Sequence, residues 1–304
     1  MPDNWSKSLA RGAFRWYLSK FPLRDGKAYF YESLHSLLTP AERYVTVGLD
    51  SGFTMKLDLN DPEQRKIYFY GHYHERYEAR LIRQVLEAED TFWDIGAHIG
   101  YFTLLAAQVL HPGGQVAAFE PAKEAYARLK DNIFLNPYKN ISAYNLAVSH
   151  TEGEARLYLT GDIADSSANL FNPKEDQTRE EIVRTIALDQ FSRETPWARP
   201  DFLKIDVEGA ELAVLQGAAK TISNFLPLLL IELEEKNLQA VGLTKGDIQD
   251  FLNNFGYQAA FLYKGRWYAA KEVSRAPGRN LFWFNPDLPA HRKKAGRVPI
   301  GGGG

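Results

Sequence analysis

The chain has 304 residues, of which 45% are hydrophobic and 24% charged, and this composition excludes a largely disordered protein. Its formal net charge is −2, so the chain as a whole lacks the positive field that gathers nucleic acid. It contains no cysteine, which excludes disulfides, thiolate metal ligands and a cysteine nucleophile.

The N-terminal part of the chain, residues 1–75, differs in sequence pattern from the rest. It predicts an extension of helix and β-hairpin that acts as a lid or docking element. Residues 1–30 carry six basic and two acidic side chains among many aromatic ones. Lys7, Arg11 and Arg15 are four residues apart, which puts them on one face of a helix. Two interpretations remain open: the helix docks its aromatic side chains on the main body, or it contacts an anionic membrane surface or a lipid-linked acceptor.

The next segments predict a hairpin followed by an α/β domain. Hydrophobic residues alternate at period two on both sides of Asp50-Ser51-Gly52, which is typical of a β-hairpin. Over 76–286 strands and helices alternate, which predicts a mostly parallel sheet. The predicted strands are 91–95, 115–119, 141–145, 202–205, 228–231, 258–263 and 280–284, and the predicted helices include 101–110, a helix opened by Pro121, 210–224 and 244–254.

Two parts of the chain do not follow this alternation. Strand-like pieces at 155–159 and 183–187 flank the polar stretch 160–182, which we interpret as an excursion or active-site loop. The tail at 287–304 is basic and ends in four glycines, and we expect it to be disordered.

A glycine-containing turn after the first of these strands predicts a ligand site. The run Asp94-Ile-Gly-Ala-His-Ile-Gly100 joins strand to helix, and Glu120 ends the next strand, where an acidic side chain can accept the hydroxyls of a ribose. The spacing is Gly-x-x-x-Gly rather than the Gly-x-Gly-x-x-Gly of dinucleotide sites. Asp94 would repel a diphosphate but attract the ammonium and sulfonium of S-adenosylmethionine, so the charge favours that cofactor over NAD or FAD.

Five segments together resemble S-adenosylmethionine-dependent methyltransferases of the FkbM type. They are 91–103, 119–121, 145–148, 185–189 and 202–211, and the resemblance covers about residues 67–286. The run Lys204-Ile-Asp-Val-Glu-Gly209 is the most specific of them, and asparagine usually stands where this chain has His98. The resemblance implies a Rossmann-like class I methyltransferase fold: α/β, with a seven-stranded mostly parallel sheet whose last strand is antiparallel. It also implies methyl transfer to a hydroxyl.

The resemblance also implies which residues hold the cofactor and its product, S-adenosylhomocysteine. The turn after the first strand is expected to bind the methionine part. The end of the second strand is expected to bind the ribose, and the segment after the third strand the adenine. These positions are Asp94, Gly96, Ala97 and Gly100 for the methionine part, Glu120 for the ribose, and Asn145 and Ala147 for the adenine. His98, Tyr101, Pro121 and Asp206 are expected at the cofactor site as well.

An acidic cluster is predicted where two further strands end. Asp206 and Glu208 follow one strand and Glu232 and Glu234 the next, so their carboxylates converge, and Lys204 shares a face with Asp206. Three interpretations remain open. Asp206 orients the cofactor while Glu208 or another carboxylate accepts a proton; or the carboxylates bind a divalent cation, with His98 as a nitrogen ligand; or Glu208 caps a helix and balances Lys204. We favour catalytic roles for Asp206, Glu208 and Lys204 without a metal.

The predicted function is O-methylation, dependent on S-adenosylmethionine, of a hydroxyl on a sugar, glycolipid or polyketide-type natural product. The alternatives are a nicotinamide-dependent oxidoreductase and a non-catalytic module that binds the cofactor. We expect a small-molecule or glycan acceptor and no nucleic acid, since no Asn/Asp-Pro-Pro-Tyr/Phe tetrapeptide occurs. Peripheral membrane contact through the N-terminus and homo-oligomers are compatible with the sequence. The lack of a secretory signal and of any apolar run near membrane-spanning length predicts a cytoplasmic protein.

Overall fold

The computed structural model describes residues 5–22, 26–160, 167–169, 179–195 and 199–301. The helices are α1 (Trp5–Lys20), α2 (Lys27–Leu38), α3 (Pro62–Tyr70), α4 (Arg76–Val85), α5 (Tyr101–Leu110), α6 (Lys123–Phe134), α7 (Leu188–Glu194), α8 (Glu211–Gly217), α9 (Ala219–Phe225), α10 (Glu235–Ala240), α11 (Lys245–Asn253) and α12 (Pro289–Ala295). The strands are β1 (Tyr44–Gly48), β2 (Thr54–Asp58), β3 (Thr91–Ile95), β4 (Gln115–Phe119), β5 (Ile141–Tyr144), β6 (Ala147–Val148), β7 (Gly153–Thr160), β8 (Ser167–Asn169), β9 (Arg179–Ile186), β10 (Phe202–Ile205), β11 (Leu228–Glu232), β12 (Gln258–Tyr263), β13 (Arg266–Ala270), β14 (Asn280–Phe284) and β15 (Ile300–Gly301).

The main sheet has the strand order β15-β13-β12-β14-β11-β10-β3-β4-β5. Strands β5, β4, β3, β10 and β11 are parallel to one another. Strand β14 lies between β11 and β12 and is antiparallel to both. The predicted seven-stranded sheet with an antiparallel last strand is therefore confirmed, and β13 and β15 extend it beyond β12.

Both faces of this sheet are buried, which is why its strands are apolar at successive positions. Phe92 of β3 belongs to the core on one face, and its neighbour Trp93 belongs to the core on the other. Phe202 and Leu203 of β10 divide in the same way. Consecutive strand residues point to opposite faces, so each buried strand supplies both cores and leaves its carboxyl end to carry polar groups.

The N-terminal extension packs on one face of the main sheet and shares its core. Met55 and Leu57 of the predicted hairpin are fully buried there, and Val47 pairs with Met55 in an antiparallel register, which confirms the hairpin. Phe14 of α1 joins the same core.

The predicted amphipathic helix α1 is confirmed, and the docking interpretation holds in part, because Phe14 is buried but other aromatic side chains of the helix are exposed. Arg11 is buried and donates from Nε to the carbonyl oxygen of Leu38 at 2.7 Å, and Arg15 donates to that of Tyr68 at 2.9 Å. The basic face therefore points partly inward, because guanidinium groups can satisfy carbonyl oxygens at helix ends. Trp5 and Trp16 are exposed instead of docked.

Two further expectations from the sequence are corrected. The tail is ordered in its described part, because α12 buries His291, Val298 is buried, and β15 pairs with β13. Residues 302–304 lie outside the described residues. The helix predicted at 210–224 is divided into α8 and α9 at Ala218, whose φ of −110° and ψ of 6° are not helical.

The strand-like pieces around the polar stretch form a second, four-stranded sheet of order β6-β9-β7-β8. Strands β7 and β9 pair antiparallel from Gly153 to Leu159. Of the predicted loop at 160–182, residues 161–166 and 170–178 lie outside the described residues.

Candidate active site

A cavity of about 770 Å³ lies at the carboxyl ends of β3, β4, β10 and β11. Ligands of open α/β sheets bind at this edge, where loops rather than side-chain packing shape the surface. Helix α3 of the extension and strand β7 of the second sheet close the cavity from the sides, through residues such as Ile67 and Leu157.

Nearly all residues predicted for the site line this one cavity. They are Asp94, Gly96, Ala97, His98, Tyr101, Glu120, Pro121, Ala147, Lys204, Asp206 and Glu208. Gly100 and Asn145 do not line it. Gly100 immediately precedes α5 and has a left-handed conformation, with φ of 92°. Asn145 donates from Nδ2 to the carbonyl oxygens of Glu120 and Pro121 at 2.9 and 2.8 Å, and so holds the backbone that follows β4.

The turn after β3 depends on glycine at position 96. Gly96 has φ of +83°, and a Cβ built there would lie 1.9 Å from the backbone carbonyl oxygen of Asp206. The turn is thereby packed directly against the end of β10. As a result, the groups that follow β3 and β10 meet in one place.

Asp94, the last residue but one of β3, has a buried carboxylate with one oxygen that accepts no hydrogen bond from the described residues. Its Oδ2 accepts a hydrogen bond from the hydroxyl of Thr103 at 2.6 Å. Its Oδ1 is buried and has no hydrogen-bond partner among the described residues. Burial raises the pKa of Asp94, while Lys204 acts in the opposite sense. A buried acceptor without a donor is rare in proteins, and Asp94 lines a cavity that can hold a donor.

Glu120 ends β4 and is fixed by two backbone amides. Its Oε2 accepts from the amide of His98 at 2.8 Å and its Oε1 from that of Ala122 at 3.0 Å. Each carboxylate oxygen keeps a second lone pair for a ligand. Burial raises the pKa of Glu120 to about 7, although the two amides lower it.

The backbone of His98 adopts a left-handed conformation. Its φ of 51° lies in the left-handed region, which asparagine and histidine tolerate better than most residues. Burial lowers the pKa of His98 to about 4, so the ring is neutral at physiological pH. Within the described residues, no group of three or more histidine, aspartate and glutamate side chains is arranged to hold a metal ion.

The predicted convergence of carboxylates after β10 and β11 is present, and two cations neutralise it. Lys204 is almost completely buried and its Nζ lies 2.8 Å from Oδ2 of Asp206. Glu232 hydrogen-bonds to Asp206, and Nε of Arg279 lies 3.0 Å from Oε1 of Glu232.

The protonation of this cluster follows from its charges. Burial would raise the pKa of Asp206, but the ammonium of Lys204 outweighs it and lowers that pKa. Burial and the charge of Asp206 raise the pKa of Glu232 well above its usual value, and Arg279 only partly opposes them. We therefore place the shared proton on Glu232 and the negative charge on Asp206.

Glu208 lies two residues after Asp206 and hydrogen-bonds to a residue outside this cluster. Its φ is 53°, and it accepts a short hydrogen bond from Nδ2 of Asn237. Glu208 lines the cavity, but this contact holds its Oε2 toward α10.

Sequence reasoning missed the wall that the extension contributes. His74 lies 3.2 Å from Oε2 of Glu63 through Nδ1 and 3.0 Å from Nη2 of Arg279 through Nε2, and all three residues line the cavity. The hydrogen bond from His74 is the main cause that lowers the pKa of Glu63 to about 2. The pair Asp61-Pro62, which caps α3, signals a helix start in the sequence, but nothing there indicates contact with residues 200 positions away.

Comparison with known proteins identifies the family to which the chain belongs. A family profile described as "Methyltransferase FkbM domain" matches residues 94–259, from the end of β3 to β12 and thus more than half of the chain. The chain belongs to the FkbM methyltransferase family.

Three relatives show how far the similarity extends. AMB antimetabolite synthetase AmbE of Pseudomonas aeruginosa is 27% identical over 73% of this chain and 12% of its own length. Hexuronic acid methyltransferase AglP of Haloferax volcanii is 26% identical over 48% of this chain and 56% of its own. 31-O-demethyl-FK506 methyltransferase FkbM of Streptomyces tacrolimicus is 30% identical over 54% and 57%. The chain thus spans little more than half the length of AglP and FkbM, and a small part of AmbE.

Proposed function

We propose that this member of the FkbM methyltransferase family transfers a methyl group from S-adenosylmethionine to a hydroxyl of a sugar or a similarly hydroxylated natural product. The observation that carries the proposal is the pair of carboxylates, Asp94 and Glu120, at the ends of neighbouring strands in one cavity. Oδ1 of Asp94 offers an acceptor to a cationic amino group, and Glu120 offers lone pairs to ribose hydroxyls. A pyrophosphate would meet both groups with like charge.

The acceptor class is supported by the relatives and by the polar wall of the cavity. AglP is named for a hexuronic acid and FkbM for 31-O-demethyl-FK506, so the names of both refer to oxygen-containing acceptors. Glu63, His74 and Arg279 face the same cavity and offer several donors and acceptors close together. Hydroxyl groups of a sugar are matched by such an arrangement, because each can donate and accept.

Methyl transfer to a hydroxyl forms a carbon–oxygen bond, breaks a carbon–sulfur bond and releases the hydroxyl proton. When bound, S-adenosylmethionine supplies a methyl group that its sulfonium already activates, so most of the acceleration comes from positioning. We assign proton acceptance to Asp206, which Lys204 keeps ionised and which follows β10 at the same edge as Asp94.

Calorimetry with S-adenosylhomocysteine tests the cofactor. We expect the wild-type protein to bind it in the micromolar range and Asp94→Asn to bind it at least about tenfold more weakly, because a neutral amide cannot pair with an ammonium group. Asp250→Asn, on the exposed side of α11, is the matched control and should bind like wild type. Heat from NADH but not from S-adenosylhomocysteine would contradict the proposal.

A transfer assay with labelled methyl donor tests the reaction itself. We expect label to appear on a hydroxyl oxygen of at least one acceptor among free sugars, glycolipids and macrolides. Tight binding of the cofactor without transfer to any of them would favour a non-catalytic module instead.

The affinity for S-adenosylhomocysteine should depend on pH through Glu120. Because the pKa of Glu120 is raised to about 7, its carboxylate is mostly protonated at pH 6 and mostly ionised at pH 8. The ionised form is the better acceptor for ribose hydroxyls, so we expect affinity to increase by up to about tenfold over this range. Glu120→Gln should bind more weakly and lose this dependence. An equally steep profile in Glu120→Gln would assign it to another group.

A further inference from the structure

The first two helices carry large apolar side chains that point to solvent. The exposed fractions are 78% for Trp5, 58% for Trp16 and 73% for Tyr29. Together with Leu9, Phe30 and Leu37, which are also exposed, these residues define the α1–α2 patch. Exposed apolar patches of this kind mark contact sites in soluble proteins.

The members of the patch on each helix lie on one face of it. Trp5, Leu9 and Trp16 are four and seven residues apart, which places them in one row along α1. Tyr29 and Leu37 are eight residues apart on α2 and share a face in the same way. Each helix therefore has a buried side in the core and an outer apolar side.

A chain of ring contacts joins the two outer faces. The ring centroids of Trp16 and Phe21 are 5.9 Å apart, those of Phe21 and Tyr17 5.4 Å, those of Tyr17 and Phe30 5.7 Å, and those of Phe30 and Tyr29 5.9 Å. The patch is consequently one continuous aromatic surface across α1 and α2.

The charge beside the patch is positive. Helix α1 contains four basic and no acidic residues; Lys7 is exposed, and the exposed Lys20 pairs with Asp50 at 2.7 Å. Since the whole chain has a formal charge of −2, the remainder of the molecule carries −6. This asymmetry orients α1 toward an anionic surface and the rest of the molecule away from it.

From this combination we propose that the α1–α2 patch is a peripheral membrane-binding surface that prefers anionic lipids. Tryptophan and tyrosine favour the interface between headgroups and acyl chains, where their rings are buried and their polar atoms remain hydrated. The exposed Lys7, in the first turn of α1, would pair with lipid phosphates. Among the residues described, no helix is long and apolar enough to cross a bilayer, so α1 and α2 lie along the surface.

A second copy of the chain fits the patch less well. A twofold dimer through this surface would bring two copies of α1 together, each with four basic residues and no acidic one, of which Lys20 is paired with Asp50. An anionic bilayer supplies both the apolar layer and the opposite charge.

Sedimentation of the full chain with phosphatidylcholine vesicles, with and without phosphatidylglycerol, tests this proposal. We expect binding to the anionic vesicles, weakened by salt, and at least about tenfold weaker partitioning for Trp5→Ala/Trp16→Ala. Lys7→Glu should weaken binding to anionic vesicles only. In a Trp197→Phe background, emission from Trp5 and Trp16 should shift to the blue on binding, since Trp93, Trp267 and Trp283 are already buried.

Phe134→Ala provides the matched control, because Phe134 is 90% exposed but lies outside the patch, at the end of α6. It should bind vesicles like wild type. No binding to anionic vesicles, or equal binding by Trp5→Ala/Trp16→Ala and wild type, would overturn the proposal. A concentration-dependent dimer in ultracentrifugation that the same double variant abolishes would assign the patch to a second copy and also overturn it. These readouts are independent of methyl transfer, so they stand or fall separately from the proposed function.

Discussion

Replacing Asp206 with asparagine should slow methyl transfer by about 10²–10⁴-fold, the range expected for loss of a positioned base. It should also lower the free energy of unfolding by about 3–5 kcal/mol, because it leaves the ammonium of Lys204 buried without its 2.8 Å partner. Lys204 is only 3% exposed, and two carboxylates that remain in its surroundings, Asp94 and Glu75, place the loss nearer the lower value. Urea unfolding and the rate with labelled methyl donor measure the two effects.

A matched variant of Glu232, which shares a proton with Asp206, separates the effect of losing the negative charge from that of changing the side chain. Glu232 already carries the shared proton, so Glu232→Gln keeps a neutral group that donates to Asp206 and accepts from Arg279. We expect its stability to remain within about 1 kcal/mol of wild type. If Glu232→Gln were as destabilised as Asp206→Asn, the negative charge would belong to Glu232 instead.

A second variant separates folding from catalysis. Lys204→Met combined with Asp206→Asn replaces the buried ion pair by neutral groups, and we expect it to recover much of the stability lost in Asp206→Asn. Turnover should remain low, since the proton acceptor is still missing. Recovery of both stability and turnover would show that Asp206 serves only to neutralise Lys204.

The centre of the sheet could be predicted from sequence because its strands are buried on both faces. The bounds predicted for β3, β4 and α5 agree with the structure, since apolar runs end at residues such as Gly96 and Pro112 that stop regular structure. The convergence of Asp206 and Glu232 could also be predicted, because neighbouring parallel strands end at one edge.

The edge of the sheet was missed although the sequence contains a signal for it. Tyr263 and Arg266 pair across Lys264-Gly265, and both loop residues have positive φ, 47° and 78°. This is a two-residue hairpin turn of the primed type, so Lys-Gly between strand-like residues could have indicated β13. The disordered tail was predicted from charge and glycine alone, which carry no information on the burial of His291.

The wall of the cavity formed by Glu63, His74 and Arg279 could not be predicted, for a different physical reason. Glu63 and His74 belong to the extension, whereas Arg279 precedes β14. Their meeting depends on how the extension packs against the sheet, and periodicity describes only contacts within an element or between neighbours. Similarly, the inward side of α1 was set by the carbonyl oxygens of Leu38 and Tyr68, which spacing does not reveal.

Replacing Gly96 with alanine is expected to abolish binding of S-adenosylhomocysteine and to lower the free energy of unfolding by about 3 kcal/mol or more. At φ of +83° an alanine is strained, and its Cβ would lie 1.9 Å from the carbonyl oxygen of Asp206 and 2.9 Å from the carbonyl carbon. Both atoms are backbone, so the clash cannot be relieved by a side-chain rotation. The turn must move away from β10, and Asp94 and Asp206 would no longer face one ligand.

Gly242→Ala is the control that isolates this clash from the strain of positive φ. Gly242 has φ of +76°, close to that of Gly96, but a Cβ there would meet no heavy atom within 4 Å. We expect it to lose about 1 kcal/mol of stability and to bind S-adenosylhomocysteine like wild type. Calorimetry and urea unfolding on both variants give the comparison. If Gly96→Ala lost no more stability than Gly242→Ala and still bound the ligand, the close packing of the turn against β10 would not be what forms the cofactor site.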